Sequence, residues 1–228
     1  MAAGSVHMKR LSVAPRIVAV AGVDGSGKTT LTDWLRHELR ARGHVPGFVW
    51  SRFNNFVSLP FLAATRLSRH NVYRAHAGVR MGFHDFERLP LPLRYLFVGL
   101  QAVDVNLATL FKIRLPSRRF LVTICERGPW DTLVDVAADT ALDGLAGPFF
   151  SRIFCGQLSR RVDMVLVSRD ADLIESSRPE LKFDGKLRKR QRLYHRLADI
   201  GGWKVLDNNG ELSDTKRDFS AWLTSRGY

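Results

Sequence analysis

The feature that most restricts how this chain can fold is the segment Gly22–Thr29, which reads GVDGSGKT. It matches the pattern G-x-x-x-x-G-K-[ST] at every fixed position. The segment directly follows a short apolar run, Arg16–Ala21, and directly precedes a helical pattern that extends from about Lys28 to Ala41. A strand, a glycine-rich turn and a helix in this order place backbone N–H groups and a helix N-terminus around phosphate oxygens. The segment therefore predicts a phosphate-binding loop.

The residue types inside this loop indicate its ligand. In loops of this pattern the lysine, here Lys28, reaches the β and γ phosphates of a nucleoside triphosphate, and the threonine, here Thr29, is a ligand for Mg²⁺. The loop therefore predicts ATP and Mg²⁺ as cofactors. The predicted cofactor-binding residues are Gly22, Asp24, Gly25, Ser26, Gly27, Lys28, Thr29 and Thr30.

The rest of the chain alternates short apolar runs with helical patterns. Four further strands are predicted, at residues 45–50, 120–125, 162–167 and 204–206, and further helices at 129–138, 148–160, 184–200 and 213–225. Strands separated by helices form βαβ units, with a parallel sheet and helices on both of its faces. We therefore predict an α/β, three-layer P-loop NTPase fold with a five-stranded parallel sheet flanked by helices.

Length and composition favour one domain. The chain has 228 residues, of which 45% are hydrophobic and 25% charged, which is typical of a folded soluble protein. Residues 1–14 are predicted to be a disordered or tag-like N-terminus without a signal peptide, and residues 15–228 a single domain. The proline-interrupted region 51–92 is interpreted as an insertion within that domain. Two cysteines without zinc-ligand spacing predict a reduced, cytoplasmic protein.

The most apolar part of the chain, residues 93–111, contains Arg94, Gln101, Asp104 and Asn106, which argues against a membrane span. Its apolar residues recur at helical spacing and predict a core helix packed on the sheet. These residues are Leu93, Leu96, Phe97, Leu100, Val103, Leu107, Leu110 and Phe111.

Two other groups of residues fall where a phosphoryl-transfer site is expected. Glu126 and Arg127 follow the third strand, at the sheet edge where functional residues collect. A carboxylate there can position Mg²⁺ or accept a proton, and an arginine can hold a phosphate. Arg178 opens a basic region in which a lid is predicted at about residues 176–186. The alternatives are a surface ion pair and a solvated basic helix. The predicted catalytic residues are Lys28, Glu126, Arg127 and Arg178, and the predicted metal ligands are Asp24, Thr29 and Glu126.

Together these elements resemble the thymidylate kinase family of P-loop nucleoside monophosphate kinases. Val23–Leu31 is close to that family's loop, and Glu126-Arg127 stands in the place of its Asp-Arg pair. Further similarity lies in the strand 162–167 before the lid, in Tyr194 after it, in the last strand 203–207 and in Leu96-Phe97 of the long helix. The resemblance covers roughly residues 15–226 and implies a single P-loop kinase domain.

The resemblance also implies roles. Lys28 and Thr29 would serve ATP and Mg²⁺, and Asp24 would lie near the acceptor sugar or Mg²⁺. Arg127 would bind the acceptor phosphate, and Arg178 would be a lid arginine, since Gly25 stands where some members carry a loop arginine. A homodimer through the long helix is implied as well.

The sequence departs from the family on the acceptor side. Ser51–Phe56 replaces an Arg-Glu-Pro-Gly-Gly run, Leu100-Gln101 replaces an Asp-Arg pair, and Gly128-Pro129 replaces a tyrosine or serine. The residues predicted to bind ATP match the family's loop, so phosphoryl transfer from ATP is better supported than the identity of the acceptor. Four residues after the second strand are interpreted as packing, with base stacking and anion binding as the alternative: Trp50, Arg52, Phe53 and Phe56.

Three functions are consistent with the sequence. The first is an ATP-dependent phosphotransferase that acts on a nucleoside monophosphate. The second is a kinase of the same fold that acts on a non-nucleotide small acceptor, such as a sugar, a glycan precursor or a specialised metabolite. The third is a nucleotide-dependent binding protein on nucleic acid or a membrane surface, including an inactive kinase relative. It is suggested by the net charge of +13, from 35 Lys+Arg against 22 Asp+Glu.

Overall fold

The computed structural model describes residues 16–52, 55–76, 79–158 and 162–228. The predicted N-terminal segment, residues 1–14, lies outside these ranges. The strands of the described residues are β1 (Arg16–Ala21), β2 (Gly47–Trp50), β3 (Asn71–His76), β4 (Val79–His84), β5 (Val122–Glu126), β6 (Val162–Ser168) and β7 (Lys204–Asp207). The helices are α1 (Lys28–Ala41), α2 (Leu59–Leu67), α3 (Leu91–Ala108), α4 (Leu115–Ser117), α5 (Pro129–Thr140), α6 (Pro148–Cys155), α7 (Ala171–Ser177), α8 (Leu187–Gly201) and α9 (Leu212–Ser225).

Five of the strands form a parallel sheet in the order β2-β5-β1-β6-β7. The central strand β1 lies between β5 and β6, and all of its residues after Arg16 are buried. An apolar strand with helices on both faces is expected to read as a continuous apolar run, as Ile17–Ala21 does. The predicted three-layer α/β fold with a five-stranded parallel sheet is confirmed.

The core has one layer on each face of this sheet. On one face, Val18 and Val20 of β1 pack with α1 and α9. Leu31, Leu35 and Leu39 lie four residues apart on α1 and are fully buried there, which stabilises the fold by roughly 2 kcal/mol for each side chain. On the other face, Ala19 and Ala21 pack with the cluster that α5, α6 and α8 share.

The region 51–92, which was interpreted as an insertion, contains a hairpin that the sequence analysis did not predict. Only α2 and a short 3-10 turn, Phe86–Arg88, are helical between the second strand and α3 in the described part. Strands β3 and β4 form an antiparallel pair in which Asn71 lies opposite His84. Their short length and the absence of an Asn-Gly or Asp-Gly turn signal hid this hairpin from the sequence analysis.

Helix α3 buries a different face from the one that its apolar periodicity predicts. Its helical continuation Leu91–Ser117 is long and apolar enough by composition to cross a membrane, yet 44% of its most apolar window is buried inside the protein. It packs against α5 and α6, not directly on the sheet. Of the eight residues predicted to face the core, Phe97 is buried, Leu100 and Leu110 are half-buried, and the rest are exposed: Leu93, Leu96, Val103, Leu107 and Phe111.

Two polar residues explain this rotation of α3. Gln101 and Asp104 are buried on its packed face. Asp104 accepts hydrogen bonds from the backbone N–H groups of Val57 at 2.7 Å and Ser58 at 3.0 Å. These bonds satisfy a buried carboxylate and anchor the start of α2.

Candidate active site

The phosphate-binding loop depends on glycines at three positions. Gly22, Gly25 and Gly27 have φ angles of 142°, 82° and 97°, which side chains rarely allow. A Cβ atom at Gly22 would lie 2.6 Å from the Val167 carbonyl oxygen, and one at Gly27 would lie 2.4 Å from Asn208 Nδ2. The tight turn therefore brings backbone N–H groups to the start of α1, as an anion site requires.

Two buried polar groups in the loop fit an anionic ligand. Ser26 is fully buried, and its Oγ has no hydrogen-bond partner among the described residues. Lys28 is 3% exposed, and its Nζ donates to the Val23 carbonyl oxygen at 2.6 Å. Burial, followed by the charge of Arg127, lowers the pKa of Lys28 to about 7. A buried hydroxyl without a partner and a buried amine suit the oxygens of a triphosphate, which would satisfy the first and charge the second.

Thr29 and Glu126, two of the predicted metal ligands, are in direct contact. Thr29 Oγ1 donates to Glu126 Oε1 at 2.7 Å, and Thr32 Oγ1 donates to Glu126 Oε2 at 2.9 Å. Glu126 is the last residue of β5 and is buried. The described residues contain no group of three or more His, Cys, Asp or Glu side chains that could hold a metal. A hydroxyl and one carboxylate fit Mg²⁺, which completes its coordination with water and phosphate oxygens.

Asp24, the third predicted ligand, lies with arginines instead. Its carboxylate accepts hydrogen bonds from Arg127 and, at 3.1 Å, from Arg52 Nη1. Burial raises the pKa of Asp24, but the charges of Arg127, Arg52 and Lys28 outweigh burial and hold it well below its usual range. Asp24 is therefore an ionised, half-buried carboxylate on the phosphate loop.

Arg127 is clamped between the loop and α5. It has a φ of 67°, which is uncommon for a residue other than glycine and typical of functional sites. Its Nη1 donates to Asp131 Oδ1 at 3.0 Å and to the Gly22 carbonyl oxygen at 3.2 Å. Asp131 is buried and also accepts from the Tyr194 hydroxyl at 2.5 Å. These contacts lock Arg127 at the sheet edge beside the loop.

Arg178 lies in the predicted lid segment. It joins α7 to a 3-10 turn, Pro179–Phe183, and its Nε donates to Glu180 Oε1 at 2.8 Å. The segment lies over the phosphate loop: a Cβ at Gly25 would be 3.3 Å from Leu181 Cδ1 and 3.5 Å from Arg178 Cδ. The Arg178 side chain is 45% exposed, so it can change its partner at small cost.

The structure shows a group of aspartates that the sequence analysis missed. Asp131, Asp135 and Asp139 lie four residues apart on one face of α5. Arg190, which lies in the helix predicted at 184–200, donates from α8 to Asp135 at 2.9 Å and to Asp139 at 3.2 Å. The i, i+4, i+8 spacing of the aspartates was the signal available in the sequence.

Asp135, Asp139 and Arg190 line a cleft of about 610 Å³ beside the phosphate loop. Asp24, Arg127 and Arg178 reach the cleft, together with Arg52, which was interpreted chiefly as packing. Lys28, Thr29 and Glu126 do not line it and belong to the loop side. Trp50 and Phe56 are about half exposed and do not line the cleft, and Phe53 lies outside the described residues. A second, more open groove of about 680 Å³ runs along α8 beside Ser168–Asp172.

Comparison with known proteins identifies the fold. No protein-family model and no curated protein matches the sequence. Among solved structures, thymidylate kinase from Ehrlichia chaffeensis matches with a TM-score of 0.50, at 15% sequence identity. The match covers 92% of this chain and 98% of the other. The chain shares the three-layer α/β fold of that protein. A sequence identity this low supports a shared fold only. The substrate and the reaction have to be inferred from the chemistry of the site.

The candidate site divides into two parts. The first is the loop with Lys28, Thr29 and Glu126, where the sequence predicts phosphate and metal binding. The second is the cleft beyond Asp24 and Arg127, where the sequence departs from the thymidylate kinase pattern.

Proposed function

We propose that this protein is an ATP-dependent phosphotransferase that moves the γ-phosphoryl group of ATP to a small acceptor held in the cleft. The observation that carries this proposal is the phosphate loop itself, with the partnerless Ser26 hydroxyl and the buried Lys28, next to a cleft that Arg127 and Arg178 line. The kinase fold supports it. A cleft lined by convergent charged side chains favours an enzyme over a protein that binds nucleic acid or a membrane with an open basic surface.

The residues of the loop would hold the triphosphate. Backbone N–H groups, the Ser26 hydroxyl and Lys28 bind phosphate oxygens, while Thr29 and Glu126 would hold Mg²⁺. When bound, Mg²⁺ neutralises charge that builds up between the β and γ phosphates. The lid segment with Arg178 excludes water, and Arg178 adds positive charge at the transferring group. Catalysis by such a site consists of positioning and charge stabilisation, without a covalent intermediate on the protein.

Two classes of acceptor follow from the sequence and the fold. The family resemblance supports a nucleoside monophosphate whose phosphate Arg127 would bind. The divergent acceptor side supports a non-nucleotide small molecule. The structure favours the second class by one observation: Arg127 is already paired with both Asp24 and Asp131.

The direct test is acceptor-dependent release of ADP from Mg-ATP, with a mixed pool of nucleoside monophosphates, sugars and aminosugars as acceptors. We expect release that requires both Mg²⁺ and the pool and that stops on addition of EDTA. Thr29→Val is expected to raise the Mg²⁺ concentration needed for half-maximal rate, because one oxygen of the metal site is lost. Absence of Mg-ATP binding by calorimetry would contradict the proposal.

The pKa of Lys28 predicts proton uptake on nucleotide binding. At pH 8 the free protein holds Lys28 mostly neutral, since burial lowers its pKa to about 7. A bound phosphate restores the charge, so about one proton is taken up at pH 8 and almost none at pH 6, and affinity falls as pH rises through 7. Calorimetry in buffers of different ionisation enthalpy measures this number. Lys28→Met should abolish the difference; equal uptake at both pH values by the wild type would refute the expectation.

A further inference from the structure

Among the described residues, the lining of the cleft contains more carboxylates than guanidinium groups. It includes Asp24, Asp135, Asp139, Glu180 and Asp184 against Arg52, Arg127, Arg178 and Arg190, with His84 paired to Asp139. A dianionic phosphate ester is bound best by guanidinium groups with free N–H donors and no facing carboxylates. The described lining has the opposite character.

Each of the four arginines already bonds to a carboxylate. Arg190 donates to Asp184 at 2.8 Å as well as to Asp135 and Asp139. Arg52 lies 3.6 Å from Asp135 and also bonds to Asp24. Arg127 bonds to Asp24 and Asp131, and Arg178 bonds to Glu180. Breaking the pairs of Arg127 and Arg190 to admit a phosphate would take a guanidinium partner away from the buried Asp131 and Asp139, which is costly.

A buried acceptor atom in the cleft indicates that the ligand donates hydrogen bonds. Asn71, the first residue of β3, lines the cleft and is 6% exposed. Its Oδ1 is buried and accepts no hydrogen bond from any residue that the structure describes. A buried acceptor without a donor calls for a ligand that donates. Hydroxyl and ammonium groups donate hydrogen bonds, whereas an ionised phosphate only accepts them.

We propose that the acceptor is a neutral or cationic polyhydroxylated small molecule, of the sugar or aminosugar class, and that it is phosphorylated on a hydroxyl group. This rests on the proposed phosphotransferase function. Its hydroxyl and amino groups donate to the carboxylates and to Asn71 Oδ1, while the arginines bound to these carboxylates hold them in position.

The reaction requires a proton acceptor that a phosphate acceptor does not need. The acceptor oxygen forms a bond to the γ phosphorus, the bond from that phosphorus to the β–γ bridging oxygen breaks, and ADP leaves. The hydroxyl proton passes to a carboxylate, as it does to the catalytic aspartate of protein kinases. A carboxylate that lines the cleft supplies that acceptor.

The experiment compares two defined acceptor panels with γ-labelled Mg-ATP. One panel holds hexoses, hexosamines, pentoses and inositol; the other holds ribo- and deoxynucleoside 5′-monophosphates and sugar phosphates. We expect label on a member of the first panel at least about 10²-fold faster than on any member of the second. Label mainly on a monophosphate, or none on the first panel, overturns this inference. Failure to bind Mg-ATP at all is a different result, because it removes the proposed function itself.

Asn71→Leu provides a second readout on the acceptor that the first panel identifies. It is expected to raise the KM for that acceptor about tenfold, with the KM for ATP unchanged and the thermal midpoint equal or higher, because a partnerless buried oxygen is removed. Asn106→Leu is the matched control: its Nδ2 donates to the Ala102 and Ile153 carbonyl oxygens, outside the cleft. It should lower the thermal midpoint and leave both KM values unchanged. A lower midpoint with an unchanged acceptor KM for Asn71→Leu would show a merely structural role.

Discussion

Lys28→Met is expected to reduce acceptor-dependent release of ADP by about 10³-fold or more. The reason is that the variant lacks a main positive charge at the transferring phosphoryl group. The same change should leave the thermal midpoint of the free protein unchanged or raise it at pH 7. The buried amine is disfavoured in its charged form, which its pKa of about 7 reflects, and methionine fills the same space without a charge. A loss of activity together with retained or increased stability separates a functional residue from a structural one.

The pH dependence of stability gives an independent check on Lys28. Its pKa is lower in the folded protein than the ordinary value of 10.5, so the unfolded chain binds the proton more tightly. The Lys28 contribution to the free energy of unfolding therefore rises as pH increases from about 7 towards 10.5. Lys28→Met should flatten this rise. Lys112→Met, at an exposed position after α3, is the control and should change neither the activity nor the slope. A midpoint lowered by Lys28→Met would contradict the expectation.

Asp131→Ala is expected to cause the largest loss of stability, about 3–5 kcal/mol, since it removes one partner of a buried ion pair. Arg127 is 6% exposed and would lose one of its two carboxylate partners. The Gly128 backbone N–H, at 2.8 Å from Asp131 Oδ2, and the Tyr194 hydroxyl would lose their acceptor. Activity should fall as well, because Arg127 is then no longer held beside the phosphate loop.

Chemical denaturation of Asp131→Ala measures this loss, with two variants for comparison. Tyr194→Phe removes one hydrogen bond and should cost about 1 kcal/mol. Asp143→Ala removes a surface ion pair to Lys189, with an aspartate side chain that is 59% exposed, and should cost less than about 1 kcal/mol. If Asp131→Ala were no more destabilising than Asp143→Ala, Asp131 would not be the support of Arg127 that its contacts indicate.

The sequence was sufficient where local patterns carry the information. A phosphate loop needs glycines at positive φ angles, a lysine and a hydroxyl at fixed spacing, and these are visible in Gly22–Thr29. The strands of this parallel sheet read as short apolar runs, so all five were found. Glu126 could be placed near Thr29 because strand ends of a parallel sheet share an edge, and the two side chains are in contact.

Only the tertiary structure determines which helix faces contact each other. The sequence predicted an apolar stripe of α3 in the core, but the buried Asp104 and Gln101 turn that helix so that most of the stripe is exposed. In the sequence, Arg190 is one of many basic residues in a predicted helix. It belongs to an ion-pair network because α8 packs against the aspartate face of α5. Periodicity describes one helix at a time, whereas the pairing of charges, and with it the chemistry of the cleft, depends on contacts between residues far apart in the chain.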